Sequence, residues 1–172
     1  MEKFESQLIG ETITSNAAEA HNLYKKSCFG EPKDGKIQYT LSEAIFLVEK
    51  DKMDLLSRNK IIPKKEILKK LQNIDKRIQL KYPVFKDLRE RGHIVKTALK
   101  FGADFRVYEK GQKPGKKHAK WVVFAEHESK RLTWHEFSSK NRVAHSTKKK
   151  LLLGIVDEEG DISYYEVAWI RP

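Results

Sequence analysis

Three polar residues of the chain have the types needed for one reaction. Tyr108 closes the stretch "DFRVY", His118 lies just before "WVVF", and Lys149 lies just before "LLLGIV". A phenol, an imidazole and an ammonium gathered around a phosphodiester could break an RNA strand without a metal. One group takes the proton of the 2′-hydroxyl, one protonates the departing 5′-oxygen, and a cation steadies the charge on pentacoordinate phosphorus. Taken singly, each has an ordinary explanation. A strand-end tyrosine keeps its hydroxyl in water, a loop histidine is solvated, and a lysine in "KKK" is surface charge. His118 stands out because its loop, "GQKPGKKHAKW", also holds Lys113, Lys116, Lys117 and Lys120. Lysines on both sides oppose a further positive charge on the ring, and an anion bound at the same place would offset that.

The elements that would carry these residues can be read from periodicity and punctuation. "DFRVYEK" and "KWVVFAEH" read as strands, with Gly102 punctuating the turn after "HIVKTALKFG", itself a strand. Thr133 and Glu136 have capping-box spacing and open a helix with Trp134, Phe137, Asn141 and Ala144. "KLLLGIV" and "ISYYEVAWI" read as two strands around the turn "DEEGD", where Gly160 suits a positive φ. "YPVFKDLRERG" reads as a helix from about Pro83 that Gly92 ends. Strand ends and their loops are where Tyr108, His118 and Lys149 would meet, at one edge of a sheet.

Earlier in the chain "LIGETIT" alternates like a short strand, and Asn16 with Glu19 has the spacing of a cap before "AAEAHNLYKK". "GEPKDGK" is a turn cluster before the strand-like "KIQYT". Thr40 and Glu43 repeat the capping-box pattern before a helix with Leu41, Ala44, Ile45 and Val48 on one face. Pro63 suits a first helical position, opening a helix with Ile67, Leu68, Leu71, Ile74 and Ile78 in register. The expected architecture is α/β (α+β). A small N-terminal α/β domain, residues 1–81, serves support and assembly. A C-terminal nuclease-like domain, residues 82–172, has a mixed sheet flanked by helices and carries the chemistry.

Composition narrows the partner. The chain has 172 residues, 35 Lys+Arg against 24 Asp+Glu, a net charge of +11 and a pI near 9.6. The excess is concentrated: residues 106–150 hold 13 Lys+Arg and only 4 Asp+Glu. A basic stretch interleaved with aromatics and histidines points to a phosphate backbone. Runs such as "LLLGIV" are too short to span a bilayer, and "MEKFESQ" lacks a signal-peptide core. A cytoplasmic protein is expected. The single Cys28 rules out an internal disulfide and a cysteine-based zinc site.

About half of the chain resembles the catalytic domain of the archaeal tRNA-splicing endonucleases, homotetrameric type. The residues that carry the likeness are "YPVFKDLRERGHIVKTALKFGADFRVYEKG", "HAKWVV" and "RVAHSTKKKLLLGIVDEEGDISYYEVAWIRP". Order and spacing both fit, with Ala98 standing where the family often has Gly. The resemblance implies excision of introns from precursor tRNA by cutting both splice sites in a bulge–helix–bulge. The ends would be 2′,3′-cyclic phosphate and 5′-hydroxyl, with no cofactor. It implies Tyr108 as general base, His118 as general acid and Lys149 as transition-state stabiliser. A free tyrosine titrates near ~10, so such a base needs neighbouring cations, for which Arg106, Lys110 and Lys149 are candidates. The resemblance also implies base stacking by Arg142, and Trp169 is a candidate second platform. It further implies that the acidic loop, Asp157, Glu158, Glu159 and Asp161, docks into a basic cleft of another subunit of a homotetramer.

Two other readings compete. Asp104 with Glu128, Ser129 and Lys130 imitates the D…E-x-K pattern of metal-dependent nucleases. A basic RNA-binding subunit without chemistry is the second, against which stands the retention of all three reactive residues. Zinc has weak support, since His118, His127, His135 and His145 lack ligand spacing.

Overall fold

The computed structural model describes residues 2–172. Two compact units divide the chain, Met1–Tyr82 and Pro83–Pro172. The α/β architecture with a mixed-sheet second unit flanked by helices is the one expected.

The first unit is a six-stranded sheet in the order β3-β4-β2-β1-β5-β6. "LIGETIT" is a hairpin and not one strand: β1 (Phe4–Ile9) turns at Gly10 into β2 (Thr12–Ser15). Helix α1 (Ala18–Ser27) starts after Ala17 with no side-chain cap, so Asn16 and Glu19 do not form the expected one. "GEPKDGK" makes a second hairpin, β3 (Glu31–Lys33) with β4 (Lys36–Tyr39). Helix α2 (Leu41–Glu49) has the full Thr40–Glu43 capping box. Glu43 is also buried, and its second oxygen accepts the Gly30 N–H at 3.0 Å. β5 (Met53–Ser57), unread in the sequence, runs parallel to β1 and pairs with the short β6 (Lys60–Ile61). Helix α3 (Lys64–Gln72) follows Pro63 but stops before Ile74, because the chain turns at Asp75, whose carboxylate caps the Arg77 N–H at 2.9 Å. Ile13, Ile37, Ile45, Leu47, Met53 and Leu55 form the interior.

Helix α4 (Ile78–Glu90) begins five residues before the expected start, with Pro83 inside it. The second unit's sheet has the order β11-β10-β9-β8-β7. Its strands are β7 (Ile94–Ala98), β8 (Ala103–Tyr108), β9 (Trp121–His127), β10 (Lys150–Val156) and β11 (Ile162–Val167). A 3-10 turn, Leu99–Phe101, separates β7 from β8. β9 and β10 are parallel and joined through helix α5 (Trp134–Ser146); every other pair is antiparallel.

Alternation along the strands gives the sheet two apolar faces. On one, Phe85 of α4 meets Phe105 at 5.8 Å between ring centres, and Val84 lies over Gly154. A β-carbon on Gly154 would come within 3.1–3.2 Å of both Val84 methyl groups, so glycine there sets how closely helix and sheet approach. On the other face Val122, Phe124, Leu151 and Leu153 pack with Ala144, Phe137 and Val143 of α5. Trp134 does not join them: it is 84% exposed and meets Phe137 edge-on.

Candidate active site

Strand register brings the predicted residues to one end of the second sheet. Val107 of β8 is opposite Trp121 of β9, and Trp121 is opposite Lys150 of β10. Two hydrogen bonds carry the ladder one step further. Lys120 N–H donates to the Val107 carbonyl and Lys150 N–H to the Lys120 carbonyl, both at 2.9 Å. Tyr108, Lys120 and Lys149 therefore stand at one level across three neighbouring strands. Two strand spacings separate the backbones of Tyr108 and Lys149, about 10 Å. Alternation puts their side chains on the face of Arg106, Val122 and Leu151. Tyr108 is buried, whereas Lys149 is half-buried.

His118 arrives by a different route. The connection from β8 to β9 folds on itself, with Gln112 N–H on the Glu109 carbonyl and Lys116 and Lys117 N–H both on the Lys113 carbonyl. An ion pair between Glu109 and Lys120 closes its base. The loop thus leaves and returns at the level of Tyr108, and it presents His118, exposed, two residues before Lys120.

The local fold also explains where Lys149 sits. Helix α5 ends with Lys148 in the left-handed region, φ +54°. Lys149 N–H reaches back to the Ala144 carbonyl at 2.8 Å and Lys148 N–H to His145 at 3.0 Å. This is the Schellman pattern, with lysine at the position glycine usually takes. It reverses the chain so that Lys149 emerges beside β8. Its ammonium donates to the Thr147 carbonyl at 2.9 Å and lies 5.4 Å from the Phe101 ring centre. Burial, and next the charge of Arg106, hold its pKa below the ordinary lysine value. No carboxylate among the described residues pairs with it. Its neighbours differ: Lys150 is paired with Glu166 at 2.5 Å, and Lys120 with Glu109. Lys149 is thus a half-buried cation left for an anion. Lys148 was not singled out in the sequence, and Lys120 only as one of the lysines around His118; positive φ at a lysine and pairing across a loop base leave no local signature.

The remaining predicted residues fall into two places. Arg142 and Trp169 line one cleft of about 530 Å³ with Trp134, Phe137, Asn141 and His145. Trp169 stacks obliquely against His145 at 4.7 Å between centres, with the Arg171 guanidinium 5.2 Å from its ring. In the β10–β11 turn Asp157 faces inward: its carboxylate accepts the N–H groups of Glu159 at 2.9 Å and Asp161 at 2.8 Å. Glu158, Glu159 and Asp161 are exposed around it.

The metal-binding pattern does not assemble. Asp104 is buried and accepts the Ala125 N–H at 2.9 Å, Glu128 accepts the Glu158 N–H at 3.2 Å, and Lys130 is on Glu126. Each acid serves its own structural bond. Among the described residues no three His, Cys, Asp or Glu side chains cluster as a metal site.

Comparison with known proteins decides the family. Residues 4–68 match the model of the tRNA intron endonuclease N-terminal domain, and residues 78–164 that of the tRNA intron endonuclease catalytic C-terminal domain. The chain belongs to the tRNA intron endonuclease family. It is 40% identical over 171 residues to a tRNA-splicing endonuclease of Methanothermobacter thermautotrophicus, covering 99% of both chains. It is 38% identical over 168 residues to one of Pyrococcus horikoshii, covering 97% of this chain and 96% of the other. A Nanoarchaeum equitans relative of the same name is 44% identical over 138 residues, 77% of this chain and 88% of that one. In this tRNA intron endonuclease, Tyr108, His118 and Lys149 all fall within the catalytic-domain match. No helix among the described residues is long and apolar enough to cross a membrane.

Proposed function

We propose that this endonuclease removes introns from precursor tRNA by cutting both splice sites in a bulge–helix–bulge, using its own side chains and no metal. The observation that carries the reading is the alignment of Tyr108, the His118 loop and the unpaired Lys149 at one sheet end. Tyr108, ionised to its phenolate, takes the proton from the 2′-hydroxyl and becomes the phenol. The 2′-oxygen attacks phosphorus, the bond from phosphorus to the 5′-oxygen breaks, and His118 protonates that oxygen. The products are a 2′,3′-cyclic phosphate and a 5′-hydroxyl. Lys149 faces the negative charge that builds up between them.

Recognition is assigned to the neighbouring cleft, where Arg142 stacks on an extruded base and Trp169 offers a second flat surface. Two splice sites call for two catalytic edges, so the working particle is a homo-oligomer, and we infer a homotetramer. The exposed acids Glu158, Glu159 and Asp161 bind a basic cleft of another copy, while Asp157 shapes their turn. The first unit serves support and assembly, and the protein works in the cytoplasm.

The test incubates the purified protein with bulge–helix–bulge RNA in EDTA and examines the ends. Cyclic phosphate at both junctions is expected. Cleavage only on adding Mg²⁺ would overturn the mechanism, and tight binding without cleavage would make the chain a non-catalytic RNA-binding subunit.

A further inference from the structure

Behind the catalytic edge, on the opposite face of the sheet, runs a chain of side chains that the proposed reaction does not use. The β7–β8 ladder ends where Ile94 faces Tyr108. The Val107 carbonyl serves β9 through Lys120 N–H, so the Tyr108 carbonyl points the other way, toward β7, just where β7 begins. The ring of His93 takes it: Nδ1 lies 2.9 Å from that oxygen. A carbonyl only accepts, so Nδ1 carries the proton. His93 then meets Trp121 edge-on, with ring centres 5.7 Å apart and planes at 87°. Trp121 Nε1–H donates to Glu166 Oε2 at 2.7 Å, and Glu166 Oε1 accepts from the Lys150 ammonium at 2.5 Å.

We propose that His93, Trp121, Glu166 and Lys150 form a positioning belt for the catalytic edge, with His93 fixing the end of β8 that carries Tyr108. The proposal rests on the functional reading above. The belt's members are sequence or ladder neighbours of the reactive groups. His93 holds Tyr108 by its own carbonyl, Trp121 follows the His118 loop, and Lys150 adjoins Lys149. They also join five strand ends: His93 before β7, Tyr108 on β8, Trp121 on β9, Lys150 on β10 and Glu166 on β11. Glu166 and Lys150 are largely exposed, with side chains 38% and 50% accessible, and exposed pairs contribute little to stability. Their contribution lies in geometry. A displacement of about 1 Å at a reacting group costs on the order of 10²-fold in rate, and the His93 bond is one of the restraints that hold the end of β8 in place.

The test compares H93F, which keeps a ring against Trp121 but loses the donor, with H93N, whose amide can donate to the Tyr108 carbonyl. Single-turnover cleavage of bulge–helix–bulge RNA is measured at saturating protein, with RNA affinity and melting temperature alongside. H93F is expected to cleave about tenfold to 100-fold more slowly with affinity and melting unchanged, and H93N to recover most of the rate. E166Q, which drops the Lys150 ion pair but can still accept from Trp121, is expected to slow cleavage several-fold with the same split. An H93F protein that cleaves at the parent rate, or an H93N protein no better than H93F, overturns the belt while parent cleavage leaves the functional reading standing. Failure of the parent to cleave overturns both.

Discussion

Lys149 gives the sharpest test of the catalytic edge. K149Q keeps the length and polarity of the side chain and removes its charge. A charge about 4 Å from a phosphate oxygen, at the effective dielectric of about 20 that suits protein sites, is worth about 4 kcal/mol. Solvent on the open side of this half-buried group lowers that to about 3–4 kcal/mol. At 1.36 kcal/mol per tenfold, the variant should lose about 10²–10³-fold in the cleavage step. The assay is single-turnover cleavage at saturating protein, which removes binding from the rate. Dependence on pH adds a signature that belongs to this residue. Because burial and Arg106 depress its pKa, the ammonium loses its proton at lower pH than an exposed lysine. The ratio of parent to K149Q rates should therefore fall toward one as pH climbs through that titration. In an R106Q background, which removes the repelling charge, the same ratio should fall at higher pH. A loss below tenfold with affinity intact, or a ratio flat with pH, would refute the role given to Lys149.

Other predictions reach the surrounding structure. K148G relieves a non-glycine residue at φ +54° and should raise stability by about 0.5–1 kcal/mol, read by thermal melting, with cleavage retained. Glu126 is buried; that burial alone would raise its pKa, but hydrogen bonds from Lys140 and Lys130 outweigh it and hold the carboxyl below its ordinary value. Its contribution is therefore present above the unfolded glutamate value and disappears as pH falls through the folded one. E126Q should cost about 1.5–3 kcal/mol at neutral pH and show a weaker loss of stability in acid than the parent, measured by denaturant melts across pH. Reversing Glu158, Glu159 and Asp161 to lysine while leaving Asp157 should split the proposed tetramer into dimers by sedimentation; an unchanged profile would remove the docking role. W169A should weaken RNA binding about tenfold, as expected for losing one stacked base at ~1–3 kcal/mol, without changing the sedimentation profile; a changed profile with affinity intact would make Trp169 part of a subunit interface.

The sequence was most legible where a local rule acts alone. Both capping boxes, Thr40–Glu43 and Thr133–Glu136, could be read because the spacing itself makes the bond. The strands "DFRVY" and "WVVFAEH" could be read because each buries side chains on both faces of a covered sheet. Reading failed where tertiary packing overrides the rule. Pro63 opens α3 as its position demands, yet the apolar repeat through Ile74 and Ile78 runs past the helix into a turn and into α4. The repeat marks burial, and burial is shared by consecutive elements. Pro83 lies inside α4, though a proline reads as a helix start. Trp134 has a helix-face position but lies beyond the sheet that its neighbours cover.

The site divides along the same line. Tyr108, His118 and Lys149 could be named from their types and from a resemblance, but the shared level of Tyr108, Lys149 and the base of the His118 loop could not, since it depends on pairings between residues far apart in the chain. Two of those pairings, Lys120 with Val107 and Lys150 with Lys120, set the level of Tyr108 and Lys149 and the point at which the His118 loop returns to the sheet. The contrast among adjacent lysines has the same origin. In "KKK" the three residues are chemically identical, and only the fold sorts them. Lys148 turns the chain, Lys150 is neutralised by Glu166 from the neighbouring strand, and Lys149 keeps its charge among Thr147, Phe101 and Arg106. A lysine run read as plain surface charge would hide this division. Catalysis by a cation needs one that is held in place, partly desolvated and left without an acid, and here only the middle residue of the run meets all three conditions.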